Sequence, residues 1–163
     1  TLSVPLPPDP EPVPQVPLFR DSQAPLRPEP AGQPRVLVVD DHEVMRRGLL
    51  MLLSHAHALA VAGEASDGQE AVDLVRQLHP DVVVTDIRMP GMDGIEATRL
   101  IKAEFPETIV IGISAYCEKG FETAMLDAGA SELLDKAGVG VNLVPTITRC
   151  LASRSSAAER RLS

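Results

Sequence analysis

The chain has 163 residues and a formal net charge of -8, which argues against a nucleic-acid surface, since a phosphate-tracking patch needs clustered Lys and Arg. Eleven of its 15 prolines fall in the first 34 residues, leaving about 120 residues of ordinary composition, enough for one domain with a sizeable core. No run approaches the ~18 apolar residues of a membrane span and no basic-then-apolar leader opens the chain, so a cytoplasmic protein without membrane insertion is expected. It opens on Thr1 rather than methionine, as a piece of a longer protein would. Cys117 and Cys150 lack a CxxC partner or histidines at ligand spacing and read as two free thiols.

Residues 1–34 alternate proline with small, apolar and acidic residues. Proline removes backbone donors and biases its neighbour toward extended geometry, so a semi-rigid, polyproline-like linker is expected. From Arg35 the pattern changes. Val36-Leu37-Val38-Val39 is a nearly all-apolar run ending in Asp40-Asp41, which suits a strand buried on both faces. Met45, Leu49, Leu52 and Leu53 then recur at helical spacing, and Leu59 to Ala65 reads as a second strand. Asp67 is placed to cap a helix carrying the stripe Ala71, Val72, Val75 and Leu78, which His79-Pro80 stops.

Val82 to Ile87 forms the third strand, with Asp86 near its end; Met89-Pro90-Gly91-Met92-Asp93-Gly94 is a tight loop. A helix over Ile95–Glu104 stops at Phe105-Pro106, and Thr108 to Ile113 is the fourth strand with Ser114 at its tip. Phe121, Ala124, Met125 and Ala128 share a face of a fourth helix closed by Gly129. Ser131 to Leu134 is a short fifth strand followed by Lys136. The last helix is expected from near Asn142 to about Ala152, with Pro145 in its first turn, where the missing N–H is harmless. Residues 153–163 read as a disordered or frayed tail.

Five apolar strands alternating with five helices argue a parallel sheet covered on both faces. Right-handed crossovers then restrict residues 35–152 to one domain, an α/β doubly wound (βα)5 three-layer sandwich; its parallel five-stranded sheet is expected in the flavodoxin-like order 2-1-3-4-5. In a parallel sheet, Asp40, Asp41, Asp86, Ser114 and Lys136 all fall at C-terminal strand ends and converge on one edge, where such sheets place their binding crevice. Three carboxylates gathered there repel one another unless a cation shares the site. A hard divalent ion with oxygen ligands resolves the repulsion, and magnesium, Mg2+, suits a small, partly hydrated site. Lys136 offers a point charge on a flexible stem and Ser114 a short donor, completing a clamp for a phosphoryl group. Asp86 is central and reads as the nucleophile; Asp40 and Asp41 are better placed to hold the metal. An aspartyl phosphate at Asp86 would be a labile mixed anhydride, suited to a switch. His42 reads as a helix-start residue rather than a ligand, the His55-Ala56-His57 run as surface loop, and Tyr116 as either a gate to the pocket or cover for a helix end.

The segments Val36-Leu37-Val38-Val39-Asp40-Asp41-His42, Asp86 to Gly94, Ile113-Ser114-Ala115, and Gly129-Ala130 leading to Lys136, in that order, resemble the receiver domain of bacterial response regulators over Arg35 to about Ala152. The resemblance implies that Asp86 accepts phosphate from a phosphohistidine on a histidine kinase or histidine phosphotransfer domain. It also implies that Asp41 and Asp86 bind magnesium directly, Asp40 through water, and the backbone carbonyl of Arg88 completes the set. Ser114 and Lys136 would contact the phosphoryl oxygens. The face formed by the fourth helix, fifth strand and fifth helix would report the change, and could mediate self-association. The family's inward-turning aromatic of the fifth strand is matched here by Leu133, which has no ring or hydroxyl to follow the serine. Arg88 and Tyr116 flank the site where family members tune phosphate lifetime.

Thr1-Leu2-Ser3-Val4-Pro5-Leu6-Pro7 is similar to the closing strand of the ATP-binding domain of histidine kinases, so the favoured architecture is the C-terminal receiver of a hybrid sensor kinase. The alternative is the receiver of a response regulator whose output domain is missing. A magnesium-dependent aspartyl phosphatase would want a general acid two residues after the nucleophile, where Arg88 stands. A degenerate receiver used only for protein binding is opposed by the intact acidic set and favoured by Leu133.

Overall fold

In a computed structural model of the chain, residues 32–115 and 119–162 are described. The chain divides into two units, Thr1–Gln33 and Pro34–Ser163, the second of which holds the fold. Tyr116, Cys117 and the proline-rich stretch before residue 32 lie outside the described residues.

Five parallel strands form one sheet in the order β2-β1-β3-β4-β5: β1 (Arg35–Val39), β2 (Ala60–Ala65), β3 (Val82–Asp86), β4 (Ile109–Ser114) and β5 (Glu132–Asp135). This is the doubly wound, flavodoxin-like arrangement. β3 runs beside β1 with Val36 opposite Val82 and Val39 opposite Thr85, and beside β4 with Asp86 opposite Ile113. The helices are α1 (Glu43–Ser54), α2 (Gly68–Leu78), α3 (Gly94–Glu104), α4 (Lys119–Ala128) and α5 (Val139–Leu162).

The strand period of two divides the apolar residues into two cores. Val36, Val38, Val82, Val84, Ile109 and Ile111 face Leu49 and Leu53 of α1 and Leu143 and Ile147 of α5. Leu37, Val39, Val83 and Val110 face Ala71, Val72 and Val75 of α2, Ala97 and Ile101 of α3, and Met125 of α4. β1 and β3 sit in the middle, so almost every residue in them is buried on one side or the other, which is why they read as unbroken apolar runs.

Caps set the helix entries. Asp67 accepts the Glu70 N–H at 2.8 Å, and the Glu70 carboxylate accepts the N–H of Ser66, the residue before the cap, at 2.9 Å. Asp93 accepts the Glu96 N–H at 2.9 Å at the head of α3. His79 closes α2 in the left-handed region, at φ 49°, immediately before Pro80.

One element differs from expectation. α5 begins at Val139 rather than near Asn142, after a 3-10 turn at Lys136–Gly138, and continues to Leu162 rather than ending about Ala152. The two glycines Gly138 and Gly140 suggest a loop, but Val139, Leu143 and Ile147 stand at i, i+4 and i+8 and are all buried on the sheet, so packing overrides local preference. Pro145 consequently lies inside the helix, on its exposed side, and deprives the Val141 carbonyl of its N–H partner.

Candidate functional site

The order β2-β1-β3-β4-β5 reverses its direction of growth between β1 and β3, so the helices after these strands leave toward opposite faces and open a crevice at their C-terminal ends. Asp40 and Asp41 follow β1, Asp86 ends β3, Ser114 ends β4 and Lys136 follows β5. The five residues predicted to carry chemistry therefore meet at one edge. A cleft of about 120 Å³ is lined by His42, Asp86, Arg88, Ser114, Phe121 and Lys136, among others.

The acidic group is tight. Asp40, Asp41, His42 and Asp86 each place a ligand atom within 4.8 Å of the others. Asp40 is fully buried and Asp86 nearly so. Lys136 Nζ lies between the two buried carboxylates, 3.3 Å from Asp86 Oδ2 and 3.4 Å from Asp40 Oδ2. Burial, followed by the negative charge of Asp40, pushes the Asp86 carboxyl above its ordinary value, and the ammonium of Lys136 only partly opposes this.

Two buried carboxylate oxygens, Asp40 Oδ2 and Asp41 Oδ1, have no hydrogen-bond partner among the described residues. The neighbouring side chains do not satisfy them: Lys136 Nζ is 3.4 Å from the first, and His42 Nδ1 is 3.2 Å from the second, without hydrogen-bond alignment. Orphaned buried acceptors facing one another are costly, and a hard divalent cation accepts oxygen donors of this kind. The donor set fits Mg2+.

His42 is the residue that sequence reasoning set aside. It starts α1 as expected, but its side chain makes no cap hydrogen bond and its ring turns back over Asp40 and Asp41. The available signal was adjacency: a residue opening a helix directly after an acidic pair has little choice but to lean over it. Arg88 is exposed, with its guanidinium 5.0 Å from the centre of the Phe121 ring, a cation–π contact that ties the loop after β3 to α4 across the cleft. Leu133 packs with Met125 above Gly112. A methyl group on that glycine would meet Leu133 Cδ2 at 2.8 Å and Met125 Cε at 2.7 Å, so aliphatic groups fill the space beneath β5.

A family model described as the response regulator receiver domain matches residues 36–147. The chain is 38% identical over 120 residues to the response regulator GacA of Pseudomonas viridiflava, covering 74% of this chain and 56% of that protein. It is 39% identical over 113 residues to the transcriptional regulatory protein LiaR of Bacillus subtilis, covering 69% and 54%. The signal receiver domain of NarL from Mycobacterium tuberculosis superposes with a TM-score of 0.70 at 35% identity, covering 73% of this chain and 96% of that one. The chain spans about half the length of these curated relatives. No described helix is long and apolar enough to cross a membrane.

Proposed function

Because the chain belongs to the response regulator receiver family, we propose that it is a phosphoacceptor in two-component signalling, with Asp86 as the residue that carries the phosphoryl group. The observation that carries this reading is the near-buried Asp86 carboxylate, set at the focus of Asp40, Asp41 and Lys136 in an open cleft.

A carboxylate oxygen of Asp86 attacks phosphorus of a phosphohistidine on a histidine kinase or phosphotransfer domain. The P–N bond breaks, the imidazole leaves and takes up a proton, and Asp86 becomes an acyl phosphate. Asp41, Asp86 and the backbone carbonyl of Arg88 would hold magnesium, with Asp40 acting through water. When bound, the cation supplies positive charge against the repulsion among carboxylates and the charge on the transferring group. Lys136 already reaches Asp86 Oδ2 and can follow the phosphoryl oxygens on its flexible stem. Ser114, at the end of β4, lines the same cleft and would donate to a phosphoryl oxygen.

The named relatives are response regulators of which the chain matches about half. That supports the receiver of a response regulator over the receiver of a hybrid kinase, which rests on Thr1 to Pro7, outside the described residues. Self-association through α4, β5 and α5 belongs to the same proposal, and the exposed Leu126 and Val141 on α4 and α5 support it. A cytoplasmic location is likewise proposed.

Incubation with a small phosphodonor and magnesium tests the reading, with intact mass as the readout. The protein should gain one phosphoryl group and Asp86→Asn none. A chain that gains nothing, or gains it equally in the variant, defeats the proposal.

A further inference from the structure

Asp40 and Asp41 are consecutive, repel each other and Asp86, and sit just past the last paired residue of β1. Something must fix the backbone that presents them. The Asp40 N–H donates to Ala65 O of β2 at 3.1 Å, and Asp40 Oδ1 accepts the His42 N–H at 2.8 Å. The Asp40 carbonyl, on the peptide leading directly into Asp41, is held by Arg46, whose Nη1 donates to it at 2.8 Å. Arg46 Nε in turn donates to Glu64 Oε1 of β2 at 2.7 Å.

We propose that Arg46 is a positioning residue for the metal-binding pair: tethered by Glu64, its guanidinium grips the Asp40 carbonyl and so orients the peptide that presents Asp41. The inference rests on the reading of this cluster as a magnesium site. An exposed arginine–glutamate pair alone would carry little meaning. Arg46 differs in being largely covered, with 17% of its side chain exposed, and in spending a second donor on a carbonyl of a fully buried residue. Its planar fork aims two donors at once, which a lysine ammonium cannot reproduce in one plane. Adjacent Arg47 supplies the contrast: its side chain is 73% exposed and, among the described residues, pairs with Glu43 one turn back. Groups that orient metal ligands without touching the metal typically govern affinity or activity by about 10-fold to 100-fold; Arg46 holds a backbone carbonyl and not the Asp86 carboxylate, so its effect here falls on affinity.

Calorimetric titration of the full chain with magnesium alone tests this, alongside urea denaturation and the rate of phosphorylation by a small donor across magnesium concentrations. Arg46→Ala should weaken magnesium binding about 10-fold, while its rate at saturating magnesium stays within roughly twofold of the parent. Arg46→Lys should not restore affinity. Glu64→Gln, which keeps an acceptor but removes the charge, should give a smaller loss in the same direction without threatening the fold. Arg47→Ala should bind like the parent. If Arg46→Ala and Glu64→Gln lose stability but keep the parent's magnesium affinity, Arg46 is a structural tether and the proposal is wrong. A parent chain that binds no magnesium overturns the reading of the whole cluster, and the positioning role with it.

Discussion

Replacing Asp86 with asparagine should stabilise the protein when no metal is present. Asp86 shares a site with two other carboxylates, each of the three placing one oxygen within 4.8 Å of the others. At an effective dielectric of about 20, each such repulsion is worth roughly 3–4 kcal/mol. The ammonium of Lys136, at 3.3 Å, offsets about 5 kcal/mol on the same scale. Two repulsions against one attraction leave about 2 kcal/mol opposing an ionised Asp86, and burial acts in the same direction. The raised pKa of this carboxyl has the same sign. Asp86→Asn keeps the shape and removes the charge, so a gain of about 1–3 kcal/mol is expected, or a rise in Tm of roughly 3–10 °C. Urea denaturation followed by circular dichroism, in the presence of a chelator, measures it. Adding magnesium should then stabilise the parent, by about 2.7 kcal/mol at a hundredfold excess over Kd, and the variant far less, so that the gap closes or inverts. If the variant is no more stable than the parent in chelator, the electrostatic account of the site is wrong.

The pH dependence follows with a definite sign. A carboxyl whose folded pKa lies above its unfolded value of about 3.8 contributes stability in full below that value, lost as pH climbs through the raised one; in chelator, the advantage of Asp86→Asn should therefore open as pH rises above about 4, read from urea midpoints. Gly94→Ala should cost about 2–4 kcal/mol, because a Cβ there would overlap the backbone carbonyl of Asp86 and approach Ile87 Cα at 3.0 Å; the same variant should slow phosphorylation, and a normal denaturation midpoint would refute the contact. Arg88→Ala should shorten the half-life of the phosphorylated form, because the Arg88 side chain lines the cleft over Asp86 and obstructs an attacking water. Unchanged lifetimes, measured by loss of the mass adduct, would remove that idea.

The strands and the placement of Asp40, Asp41, Asp86, Ser114 and Lys136 were legible because two simple regularities coincide. Buried parallel strands write themselves as apolar runs, and a parallel sheet sends every strand's end to the same edge. The start of α5 was hidden because Gly138 and Gly140 obey local propensity while Val139 obeys the core, and only the packed sheet decides between them. Arg46 was invisible for a different reason. A charged residue on an amphipathic helix looks solvated, and its two acceptors lie on Asp40 and on Glu64 of a neighbouring strand, a pairing created by the fold alone. The Arg88–Phe121 contact joins segments far apart in the chain and is hidden in the same way.

The nearly equal spacing of Lys136 from Asp40 and Asp86 has a consequence for reorganisation. The ammonium hydrogen-bonds Asp86 Oδ2 while its charge also lies 3.4 Å from Asp40 Oδ2, so small torsions along its stem redistribute it between the two carboxylates. For the phosphoryl charge proposed to arrive on Asp86, the counter-charge is already in place and has only to lean, with no long side chain to recruit from solvent. On the proposed function, the reorganisation of Lys136 that accompanies phosphoryl arrival is correspondingly small.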